Sequence, residues 1–132
     1  MRKTVVFLTI CALMIFTIGT VDAWADSSTP LHFGNNDGTG CSCIYQQSAY
    51  AETTCHSYID VYVSSDYYYI KDYATPSATA ATKTDSKGAL GSVRVTFSCG
   101  VNDISNYISS FHRIFTSDLS GASDTTEAHY IH

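Results

Sequence analysis

Basic residues are scarce in this chain. Lys and Arg number 7 of 132 residues against 12 Asp and Glu, for a net charge of −5. No run of them occurs after Met1-Arg2-Lys3. The electrostatic footprint needed for nucleic acid, or for an anionic membrane surface, is missing. Catalytic signatures are missing as well. The chain has no G-x-S-x-G elbow, no H-E-x-x-H, no P-loop and no paired-glycine nucleotide fingerprint. Its closest cysteines are spaced C-x-C, not as the C-x-x-C knuckle of a zinc site. The reading is of a protein that is not an enzyme, with no cofactor and no metal.

What is present begins with an address. Met1-Arg2-Lys3 is a short basic segment, Thr4 to Thr20 is almost wholly apolar, and Ala23-Trp24-Ala25 has the form of a cleavage site. Together they read as a secretory signal peptide over residues 1–25, with a single membrane anchor as the alternative. The mature chain then starts at Asp26, is secreted and extracellular, and makes no stable membrane insertion. It keeps one small domain and an acid excess.

Four cysteines remain after cleavage: Cys41, Cys43, Cys55 and Cys99. An even count in a small exported chain reads as two disulfides. A Cys41–Cys43 link would close a tiny strained ring, so one of that pair is expected to join Cys55 and the other Cys99, contributing about 2–4 kcal/mol each.

Two runs alternate with a period of two. Ile59, Val61 and Val63 share one face of the first, and Val93, Val95, Phe97 and Cys99 share one face of the second. β-Branched and aromatic residues at this period make half-buried strands. A third strand is read around Ile44, Tyr45 and Tyr50. Val63-Ser64-Ser65-Asp66 is read as a turn, returning through Tyr67 to Tyr73 as a hairpin. Ala74 to Gly88 has no apolar stripe and reads as a long loop or a poor edge strand. From Val101 to Phe115 the period changes. Ile104, Tyr107, Ile108, Phe111, Ile114 and Phe115 fall on one helical face, which predicts a short helix, with a strand pair as the alternative. Gly34 to Gly40 marks a loop in a flexible arm over 26–40, and 117–132 reads as a disordered acidic tail. The expected fold is mainly β: a small antiparallel sandwich or meander over 41–116, stapled by two disulfides, with one short helix after the last strand.

Segments of the chain carry two resemblances. Cys43-Ile44-Tyr45-Gln46-Gln47-Ser48-Ala49-Tyr50, followed by Cys55 and by Gly91-Ser92 before Cys99, is similar to small bacterial β-sandwich amylase inhibitors. Ser48-Ala49-Tyr50 stands where those carry an inhibitory Trp-Arg-Tyr. Ser65-Asp66-Tyr67-Tyr68-Tyr69 is similar to secreted bacteriocins of the lactococcin type, which lack this cysteine pattern. Neither resemblance transfers a site residue.

Tyrosine is the richest functional feature. Tyr58 and Tyr62 point away from the Ile59/Val61/Val63 face, and Tyr67 and Tyr69 follow. If all four share a side, they form a patch suited to an extracellular protein or glycan, because rigid amphipathic rings bury area at little entropic cost. The competing structural reading makes these rings a core layer or a cross-strand ladder. Two other functions are carried: a secreted toxin or bacteriocin-like effector using the 102–115 segment, and a small hydrolase pairing carboxylates among Glu52, Asp60, Asp66 and Asp72.

Overall fold

The computed structural model describes residues 25–131, so the expected signal peptide lies, apart from Ala25, outside the described residues. Eight strands form two antiparallel four-stranded sheets. The first sheet orders β1 (Ala25–Phe33), β2 (Asn36–Ile44), β3 (Ser48–Cys55) and β6 (Ser92–Ser98) as β1-β2-β3-β6. The second orders β4 (Asp60–Lys71), β5 (Thr79–Leu90), β7 (Ile104–Phe115) and β8 (Gly121–His129) as β5-β4-β7-β8. The sheets pack face to face. Leu31, Ile44, Ala49, Ala51, Val93, Val95 and Phe97 meet Val61, Val63, Tyr67, Ile104, Ile108, Ile114 and Ala128 between them.

The β-sandwich agrees with the expectation, but several details differ for physical reasons. The flexible arm is a hairpin. Phe33 pairs with Asn36 across Gly34-Asn35, and Gly34 takes φ +61, which glycine adopts without strain. Pro30 is accommodated because β1 is an edge strand. The turn expected at 63–66 is the middle of β4. Val61, Val63, Ser65 and Tyr67 are all buried on one face, so inward hydroxyl bonding overrides the turn propensity of Ser-Ser-Asp. Ala74 to Gly88 takes the edge-strand alternative over the loop: it supplies a turn and then most of β5, an edge strand exposed along nearly its whole length. The tail contains β8, which buries Thr126 and Ala128, and Tyr130 follows them inside.

No helix is found among the described residues, and 104–115 is a central strand. Beyond its start, where Ile104 and Ser105 are both buried, its inward residues are Ile108, Ser110, His112 and Ile114. Two of these are polar, while Tyr107, Phe111 and Phe115 face outward, and that inversion imitates a helical period.

The inward polar groups form a connected seam. Ser42 Oγ lies 2.7 Å from Ser110 Oγ and 2.6 Å from Thr126 Oγ1, and Ser65 Oγ donates to Ser110 Oγ at 2.9 Å. His112 bonds Thr53 Oγ1 through Nδ1 at 2.9 Å and Thr126 Oγ1 through Nε2 at 2.7 Å. Thr53 Oγ1 donates to the Tyr62 carbonyl at 2.9 Å. No buried side-chain polar atom among the described residues lacks a partner, which is what allows such a seam inside a core. Space for the imidazole comes from Gly40. A Cβ there would sit 2.3 Å from His112 Cγ.

The described residues contain no disulfide. The register explains it. Cys41 and Cys43 alternate with inward-facing Gly40, Ser42 and Ile44 and so face outward, whereas Cys55 and Cys99 pack against the core. Cys55 N bonds Gly91 O and Cys99 N bonds Gln47 O, at opposite ends of the β3–β6 pair. That is about 20 Å or more along the strands, against an upper limit of about 6.8 Å for a disulfide's Cα separation. Cys41 is three steps from the Gly38–Cys55 pair and on the other face of the sheet.

Candidate functional site: the outer face of one sheet

The structure separates the four tyrosines. Because β4 runs unbroken, side chains alternate along it. Tyr62 is outside, whereas Tyr67 is fully buried and Tyr69 packs against the core. Tyr67 stacks on Phe97 at 5.5 Å and on Tyr69 at 5.6 Å, and its hydroxyl lies 2.7 Å from Ser105 Oγ and donates to Cys99 Sγ at 3.3 Å. Burial raises its pKa first, with the Cys99 contact adding to it. Tyr67 and Tyr69 therefore serve the core. Tyr58 stands 81% exposed in the segment between β3 and β4.

Outward positions of the β5-β4-β7-β8 sheet fall in rows across the strands. One row is Leu90, Asp60, Phe115 and Gly121; the next is Gly88, Tyr62, Arg113 and Ser123; then Ser86, Ser64, Phe111 and Thr125. Further along come Thr84, Asp66, Ser109 and Glu127, and then Thr82, Tyr68, Tyr107 and His129. Rings that sequence reading did not assign, Tyr68, Tyr107, Phe111 and Phe115, thus share a face with Tyr62. The signal was available as an odd–even count along β7, which the helical assignment concealed.

The two ends of this face differ. At one end Tyr68 stacks on Tyr107 at 4.1 Å, and Tyr107 stacks on His129 at 5.2 Å. These rings stand face against face across neighbouring strands, so their faces are largely taken up by one another. Burial and the Tyr68 hydroxyl raise the Tyr107 pKa. At the other end the surface is open and apolar. Tyr58, Ile59, Asp60, Leu90, Phe115 and Thr116 line a groove of about 310 Å³. Leu90 is 48% exposed and Phe111 39%, and Leu119, in the β7–β8 turn, is exposed as well. Tyr62 meets Phe111 edge-on at 6.4 Å. Arg113 lies over the Phe115 ring at 4.8 Å and donates to the Leu119 carbonyl. Tyr58 and Tyr62 are thus at the same end of the sheet.

The carboxylates considered for hydrolysis do not converge. Asp60 and Asp66 are six residues apart on β4, about 20 Å, whereas glycosidase pairs are roughly 5–9.5 Å apart. Glu52 is on the other sheet, where Arg94 Nε holds it at 2.7 Å. Asp72 lies at the far end, beside a cavity of about 370 Å³ shared with Gln46, Tyr73 and Asn102. Among the described residues, no three His, Cys, Asp or Glu side chains are placed to hold a metal ion together. No helix among them is long and apolar enough to cross a membrane.

No family model, curated protein or solved structure matches the chain.

Proposed function

We propose that this is a secreted, non-catalytic binding protein that docks an extracellular protein partner on the outer face of the β5-β4-β7-β8 sheet. The observation that carries the reading is an apolar stretch that runs from the groove lined by Tyr58, Leu90 and Phe115 at one end of that face to Phe111 at its middle, with Asp60 and Arg113 beside it. Exposed aromatic anchors beside a charged rim are the composition of a protein interface. Four strands over ten residues present roughly 600 Å², close to the ~800 Å² per partner of a standard-size interface. A glycan fits less well. Leu90 and Phe111 offer no hydroxyl, and Tyr68, Tyr107 and His129 have stacked on one another instead of leaving open faces for a sugar ring. The toxin alternative loses its amphipathic helix, since 104–115 is a central strand.

Photo-crosslinking from position 111, followed by a binding assay with the captured partner, tests this. Phe111→Ser and Leu90→Ser should weaken binding about tenfold or more, as loss of an anchor does. Their melting temperatures should fall only slightly, because neither side chain belongs to the core between the sheets. Val101→Ser, at the opposite end of the sandwich, should change nothing. Binding that survives both face substitutions, or that follows a glycan instead, overturns the reading.

A further inference from the structure

The outer face of the other sheet carries a second feature, independent of the docking face. Cys41 and Cys43 are two residues apart on β2 with both thiols on one side, about 6.8 Å apart at Cα. Cys43 is 8% exposed and Cys41 is half-buried. Their cross-strand neighbours are Tyr50 and Glu52 on β3, and Asp26 and Ser28 on β1. The Tyr50 phenol lies in hydrogen-bond contact with the Cys43 thiol, which raises the Tyr50 pKa. Arg94 covers the Tyr50 ring at 4.1 Å and bonds Glu52, which places a fixed cation beside the sulfurs. Neither thiol can reach Cys55 or Cys99. Their mutual spacing is at the upper limit for a disulfide, so the pair is poorly placed to oxidise on itself.

We propose that Cys41 and Cys43 together bind one soft monovalent metal ion of the Cu(I) or Ag(I) class as a two-coordinate bis-thiolate site. Two soft donors without a third His, Cys or carboxylate in place exclude the tetrahedral set of zinc and the oxygen cage of calcium. On binding, two S–H bonds break, two protons leave to solvent and two sulfur–metal bonds form. No electron moves, because the metal enters as the monovalent ion. The complex carries one net negative charge, which Arg94 favours and the Glu52 carboxylate paired with Arg94 opposes.

The test is anaerobic titration of the reduced secreted chain with Ag(I), read by native mass and by the near-ultraviolet sulfur–metal band. One tightly held equivalent is expected. Cys41→Ser and Cys43→Ser should each weaken it by more than about 100-fold, beyond the range for a lost supporting partner. Cys55→Ser and Cys99→Ser should leave it unchanged. Arg94→Gln, at an exposed site, should weaken it about tenfold through lost charge compensation, and it serves if the cysteine variants do not fold. Retained binding in Cys41→Ser and Cys43→Ser, unchanged affinity in Arg94→Gln, or a Cys41–Cys43 disulfide in the protein as isolated each overturns the proposal.

Discussion

Acid should destabilise this protein first through His112. The imidazole is 0% exposed, between the sheets, with Thr53 on one ring nitrogen and Thr126 on the other. Burial moves its pKa from 6.5 down to about 4, and Asp124, which pairs with His112 across β7 and β8, opposes the shift only in part. In the unfolded chain the ring titrates near 6.5. Between pH 6.5 and 4 the unfolded state therefore binds more protons than the folded one, and stability falls as pH falls. The contribution is whole above pH 6.5, down by about 2 kcal/mol at pH 5, and lost by pH 4, a total of about 3 kcal/mol. For a domain of this size that is roughly 8 °C or more of melting temperature by pH 5. Asp103, Asp118 and Asp124, whose hydrogen bonds hold their pKa values below the ordinary range, weaken the fold only at lower pH. Urea midpoints at pH 7, 6 and 5, for the wild type and for His112→Gln, separate the two effects. The wild type should lose stability across that interval and the variant should be nearly flat. If the variant does not fold, proton NMR of the wild type decides, since the His112 ring should remain neutral at pH 5.5. A wild-type midpoint that does not move between pH 6.5 and 5, or a ring that titrates near 6.5, refutes the reasoning.

Two substitutions probe the same core. Gly40→Ala places a methyl group 2.3 Å from His112 Cγ, so it should destabilise by about 2 kcal/mol or more, read as a fall in urea midpoint, although alanine suits a strand better than glycine. Tyr67→Phe keeps the stack on Phe97 but leaves the Ser105 hydroxyl, itself 0% exposed, without the phenol; a loss of about 1–3 kcal/mol by thermal melts is expected.

Where inward residues are apolar, the chain states its own fold. Val93, Val95 and Phe97 alternate with Ser92, Arg94 and Thr96, and β6 lies where the period of two puts it. The reading fails wherever the core turns polar. Ser65 sits inward amid residues that spell a turn; Ser110 and His112 sit inward and give β7 an apparent helical period; Thr126 sits inward and gives β8 the look of a tail. All four belong to one hydrogen-bonded seam. A polar side chain that is satisfied by another strand gives no local sign of burial, because its partner is tens of residues away: Ser42 and Thr126 are separated by 84 positions. The same effect hides the candidate docking face in the sequence. A turn at 63–66 would restart the parity and put Tyr67 and Tyr69 beside Tyr62; with β4 continuous they fall on the opposite side. Likewise the helical reading of β7 hid Tyr107, Phe111 and Phe115 from the face they occupy. A seam of satisfied hydroxyls also specifies register more sharply than interchangeable aliphatic contacts do. Sliding β7 by one residue would carry Ser110 and His112 to the surface and bury Ser109, Phe111 and Arg113 in their place. That register holds Phe111 and Arg113 outward beside Tyr62, so the residues that obscure the fold in the sequence are the ones that fix the candidate docking face in space.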